Sequence, residues 1–143
     1  MEFAKSGDLI LVRMDDGEDL FNGLEDIARN CDLASGIIIC ALGMLRNVEL
    51  AYYKYPREVG QYLHKQLSGP FEVVSLKGDL ALHEGKLVSH VHVVLADDRF
   101  NCFGGHLSKA EVNATLELFI LVPRSRFVRR FDEKTGLKIL HFE

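Results

Sequence analysis

Hydrophobic residues come in short runs bounded by Gly, Pro, Asn and Asp, and in only one stretch do they recur at helical spacing. Asp8 to Met14 reads as a strand in which Leu9, Ile10, Leu11 and Val12 are too dense for one exposed face, so both faces are expected to be covered. The chain then turns at Asp15-Asp16-Gly17. From Glu18 to Asn30, Leu20, Phe21, Leu24, Ile27 and Ala28 lie on one helical face, while Glu18, Asp19, Glu25 and Asp26 fill the other face and the first turns. That pattern predicts one long amphipathic helix. Ser35-Gly36 leads into Ile37 to Leu42, a β-branched run expected to be a central strand that Gly43 ends or bends.

Val48 to Tyr55 is the next expected strand, with Asn47 marking the turn before it and Pro56 to Gly60 breaking the pattern after it. Gly69-Pro70 makes a second break. Phe71 to Leu76 and Asp79 to His83 read as strands paired across Lys77-Gly78, Gly85 punctuates the next reversal, and Val88 to Leu95 follows as a strand. A polar loop is expected from Asp97 to Gly105, then a short helical or turn segment from Ser108, then a strand from Ala114 to Val122 closed by Pro123. The tail from Arg124 to Glu143 is basic at first and then apolar at Leu137, Ile139, Leu140 and Phe142, as two short edge strands or one strand and a docked end would be. The sum is an α+β fold: a mixed, largely antiparallel sheet of about seven strands with one long helix and short helices packed on it. With 143 residues, 48% of them apolar, and no internal repeat or linker, the chain is expected to form a single domain over residues 1–143.

Charge and cysteine usage narrow the function classes. The formal net charge is −4 and the pI about 5.9, whereas a self-sufficient nucleic-acid binder carries a basic excess, so DNA is not expected as the primary partner. Cys31, Cys40 and Cys102 fit neither a disulfide framework nor a CxxC motif, and read as reduced thiols of a cytoplasmic protein. Cys40 is expected in the core. Neither a secretory leader nor a run of the roughly 20 apolar residues that a membrane helix needs is seen, so no membrane partner is expected.

The chemistry concentrates in His90-Val91-His92 and Gly104-Gly105-His106. Residues two apart on a strand share a face, so His90 and His92 can converge on one ion while Val91 packs behind them. His106 can supply a third nitrogen if its loop folds back, and Gly104 and Gly105 would allow close backbone approach, a positive φ, or a cradle for a substrate or anion. Three neutral imidazoles suit a divalent metal, zinc first among them, with nickel, cobalt, iron and copper as alternatives. Against this stands the plainer reading of these residues as solvent-facing or hydrogen-bonded histidines. His64, His83 and His141 are read as surface or structural, with His83 near enough in sequence to support a ligand. Among Glu84, Asp97, Asp98, Glu111 and Glu117, Glu117 stands out because it lies within an apolar strand, where a buried carboxylate needs a partner; it is the candidate catalytic acid or base.

The run Gly69 to Gly78, then Ala81-Leu-His-Glu-Gly85, His90 to Asp97, Gly104-Gly-His-Leu107 and Thr115-Leu-Glu117 resembles the PPC (plant and prokaryote conserved) domain, in matching order from about Gly7 to Val122. The resemblance implies a largely antiparallel sheet with helices against it, assembled as a homotrimer, and a metal held by His90, His92 and His106 as in prokaryotic members. Plant members bind DNA through an appended Arg-Gly-Arg-Pro hook that this chain lacks, and Pro70 stands where their motif has Arg before Phe-Glu. Two functional expectations follow. One is a trimeric metal-binding protein acting on a small molecule, possessing or lacking enzymatic turnover; the other is a non-catalytic protein-interaction module, with DNA binding through Arg124, Arg126, Arg129 and Arg130 a more distant third.

Overall fold

The computed structural model describes residues 1–143 as nine strands and one helix: β1 Glu2–Ser6, β2 Leu9–Asp15, α1 Leu20–Asn30, β3 Ser35–Tyr53, β4 Tyr62–Leu67, β5 Phe71–His83, β6 Lys86–Ala96, β7 Cys102–Leu121, β8 Phe127–Asp132 and β9 Leu137–Phe142. Side-chain alternation sends Ile10, Val12 and Met14 of β2, Val91, Val93 and Leu95 of β6, and Leu116, Leu118 and Ile120 of β7 inward, where they join a continuous core of 25 buried residues. α1 starts at the N-cap Asp19, whose carboxylate accepts from the Asn22 N–H at 2.9 Å, and closes the core with Leu20, Leu24, Ile27 and Ala28.

All neighbours in the sheet are antiparallel except β5 and β8, which meet in parallel at Leu82 and Val128. The path runs β1-β2-β7-β3-β5-β8-β9, with β4 on β3, and β6 bridges β5 and β7. β3, β5, β6 and β7 therefore close on one another as a ring around the core. β7 changes partners within its length. Cys102 to His106 pair with β6, and from His106 onward it pairs with β3.

The expected architecture holds at the level of a mixed, largely antiparallel sheet, and its parts need four corrections. The strands are nine because β1 and β4 are exposed along nearly their whole length and so carry no apolar alternation to read. The supposed turns at Asn47 and Lys77-Gly78 lie inside single long strands. Asn47 takes a φ of 49° within a bulged stretch of β3, and Gly78 is a close approach, since a Cβ there would collide with the His90 carbonyl oxygen. The helix is short and solitary: 11 residues, with Glu18 left outside it, and the segment from Ser108 is part of β7. Finally, β2 is covered on one face only, leaving Leu9 and Leu11 in solvent. No helix is long and apolar enough to cross a membrane.

Candidate metal centre

Outward-facing positions of β6 and β7 bring the three sequence-predicted imidazoles together. His90 and His92 project from one face of β6, and His92 lies opposite His106 across the β6–β7 ladder. Each ring offers a nitrogen, and these lie within 4.8 Å of one another. The Nε2 atoms of His90 and His92 are 3.2 Å apart, close to the roughly 3.3 Å separating two nitrogens that each lie about 2.05 Å from a tetrahedral zinc. The donor set thus fits a borderline-soft divalent cation.

The ladder that achieves this depends on Gly104. It adopts ordinary extended backbone, and a Cβ on it would strike the Val93 carbonyl oxygen, so its absence lets β7 come against β6. Gly104 and Gly105 are ladder residues paired with Val94 and Val93, and the anion loop expected there is not formed.

Two residues that the sequence reading did not connect with the histidines hold the cluster from behind: Asp79 was not singled out, and Arg129 was named only among the basic residues of the tail. Asp79 lies opposite His90 on β5, and Arg129 reaches over from β8. Arg129 donates from Nη2 to both Asp79 oxygens, at 2.8 and 2.6 Å, from Nε to Oδ1 at 3.2 Å, and from Nη1 to the Lys138 carbonyl at 2.6 Å. Its Nη2 is also 2.9 Å from His90 Nδ1, and Asp79 Oδ2 is 3.7 Å from that atom. His90 aims Nε2 into the cluster, while its Nδ1 faces the Arg129 N–H and, farther off, the Asp79 carboxylate, the kind of group to which a metal-ligating imidazole donates. A signal for both existed: a lone carboxylate inside the apolar run of β5, and an Arg alternating with Phe127 and Val128.

Electrostatics keep His92 and His106 neutral. Burial first, then the neighbouring His90, His92 and Arg129, push His106 down to about 4, and burial with His90 lowers His92 as well. Burial pulls Asp79 upward, but hydrogen bonds from His90 and Arg129 prevail and hold it below the usual carboxylate range. Neutral at physiological pH, the His92 and His106 rings each keep a lone pair for a cation.

Above the cluster lies a half-open hollow of about 820 Å³. Tyr52, Tyr53 and Tyr62, from β3 and β4, line one side, and Leu137, Ile139 and Leu140 of β9 the other. The Tyr53 hydroxyl accepts from the Gly60 N–H at 2.8 Å and donates to the Thr135 carbonyl, joining the two sides. The remaining candidates lie elsewhere. Glu117 points outward on β7, opposite Arg13 of β2, eleven residues and roughly 35 Å of strand from His106; period two places it on the outer face, so it is not the buried carboxylate expected and has no path to the cluster. Asp97 accepts from the Arg99 and Asn101 N–H groups and caps a turn, and Glu111 pairs with Arg46 and Asn47. His64 pairs with Glu49, and His83 lies 3.0 Å from the Arg129 carbonyl, so it supports β8 and touches no ligand.

Comparison with known proteins places this geometry in context. Residues 1–122 match the family described as the Plants and Prokaryotes Conserved (PCC) domain. A bifunctional protein GlmU from a Synechococcus strain is 32% identical over 92% of this chain, which spans about a fifth (20%) of that protein. A metal-containing protein from Archaeoglobus fulgidus is 34% identical, with a TM-score of 0.84 over 96% of this chain and 95% of its own. A candidate DNA-binding protein from Bacteroides thetaiotaomicron superposes with a TM-score of 0.91 over 99% and 96%, at 20% identity, and shows the fold alone.

Proposed function

The chain belongs to the Plants and Prokaryotes Conserved domain family, and from that premise we propose that it is a homotrimeric, metal-binding protein that presents one divalent cation, zinc first among the candidates, to a small molecule. The observation that carries this reading is the convergence of His90, His92 and His106, with nitrogens within 4.8 Å and two of them at tetrahedral spacing. The metal-containing relative from Archaeoglobus fulgidus supports it. A bound cation would supply Lewis acidity toward an oxygen or nitrogen of the small molecule. No carboxylate lines the hollow, so this chain's own contribution is to bind and orient.

The trimer has support in the outer face of β2, β7 and β3. Leu9, Leu11, Ile37 and Ile39 remain 36–43% exposed there, an apolar strip that a second copy would cover. Three unpaired cysteines accord with a reducing cytoplasm. A nucleic-acid role finds little to use, because Arg129 is spent on Asp79, and Arg126 and Arg130 both face Glu143.

Elemental analysis of the dialysed protein tests the proposal. About one divalent ion per chain is expected, lost in His90→Ala, His92→Ala and His106→Ala alike; a wild-type chain that takes up no zinc, nickel or cobalt on reloading sinks it.

A further inference from the structure

Charge in the hollow does not balance once a cation is seated, and the imbalance defines a ligand class. Three neutral imidazoles compensate none of a divalent charge, and no Asp or Glu lines the hollow. Arg129 and Asp79 cancel each other, and Nε, Nη2 and one N–H of Nη1 of Arg129 are engaged inside the protein, leaving at most the second Nη1 N–H for a ligand. Lys138 lines the hollow, is exposed, and makes no ion pair. The cation and Lys138 together give an uncompensated positive field that favours an anion.

The walls set the rest of the ligand. Tyr52, Tyr62, Ile139 and Leu140 all line the hollow and are 69%, 37%, 38% and 37% exposed, so its walls carry apolar and ring surface that is not buried within the chain. A volume of about 820 Å³ accommodates a small organic molecule. Polyphosphates are disfavoured, because Gly104 and Gly105 lie in the β6–β7 ladder and form no nest of free N–H groups.

Resting on the metal reading above, we infer that the hollow binds an organic monoanion with a flat apolar body, of the arylalkyl carboxylate class. Its carboxylate faces the imidazole cluster and Lys138, and its body lies between the tyrosines and the β9 side chains.

Calorimetric titration of the zinc-loaded full chain tests this with three probes, metal content being measured on the same samples. Phenylacetate is expected to bind about tenfold or more tighter than acetate, which lacks the ring, and phenylacetamide, which lacks the charge, to bind at least tenfold more weakly than phenylacetate. Lys138→Ala and Ile139→Asp should each weaken phenylacetate several-fold while one zinc per chain is retained. With zinc in place, equal affinity for phenylacetate and acetate, equal affinity for acid and amide, or no binding of any probe overturns the ligand inference and leaves the metal reading standing. A chain that holds no zinc overturns the metal reading, and this inference with it.

Discussion

His106 occupies the residue at which β7 changes neighbours, paired with His92 of β6 on one side and with Ala51 of β3 on the other. That half-buried position lowers its proton affinity to about 4, against 6.5 for an unperturbed imidazole. Between those values the unfolded chain binds a proton that the folded chain refuses, so the contribution to stability is complete above 6.5 and is lost as pH falls toward 4. Asp79 acts in the same sense lower down, its contribution being lost as pH falls below the ordinary carboxylate value of 3.8. The metal-free chain is therefore expected to melt at progressively lower temperature from pH 7 to 4 by scanning calorimetry, and His106→Gln to flatten that decline. An unchanged slope in the variant would refute the assignment. The imidazoles were legible because HxH fixes two rings on one strand face whatever the fold. Glu117 misled because an apolar run does not say which of its residues face outward. Asp79 and Arg129 stayed hidden because each meets its partner only through tertiary pairing, 50 positions apart in the chain.

The β8–β9 hairpin is joined to the sheet by little backbone pairing, one parallel register position at Leu82 and Val128, and the Asp79–Arg129 pair carries much of the attachment. Arg129 is 8% exposed and Asp79 15%, so removing either partner strands a charge away from water at a cost of about 3–5 kcal/mol. Arg129→Met and Asp79→Leu are each expected to destabilise by about that amount in urea unfolding and to raise amide exchange in β9, whereas the double variant should recover much of the loss. A double variant as unstable as the sum of the singles would show that the pair is not the tether. At this scale the sequence signalled strand and helix types better than their limits. Gly43, Asn47 and Gly78 look like turns, yet here they are bulges and close approaches inside strands, since a glycine that permits strand crossing and one that permits reversal are written alike. The helix end at Asn30 was readable from the sequence, whereas Asp19, read as part of the first turns, is the N-cap just outside the helix.

For the molecule as a whole, the doubly apolar pattern of β2 accords with the assembly proposed above. Leu9 and Leu11 lie on the face opposite Ile10 and Val12, and in a single chain they stay 36% and 39% exposed. Light scattering should give the mass of three chains for the wild type and a smaller mass for a Leu11→Asp, Ile37→Asp double variant, with the far-UV circular dichroism of the two alike. A wild type of single-chain mass at micromolar concentration would exclude the trimer. The division of labour between the ring of strands and the hairpin has a consequence for descent. His90, His92 and His106 fall within residues 1–122, which the family model matches, whereas β9, which walls the hollow, begins at Leu137, outside that match. On the function proposed above, inherited changes confined to β9 would alter what the hollow admits while leaving the three imidazoles in place, whereas a change at Arg129 of β8 would reach His90 itself.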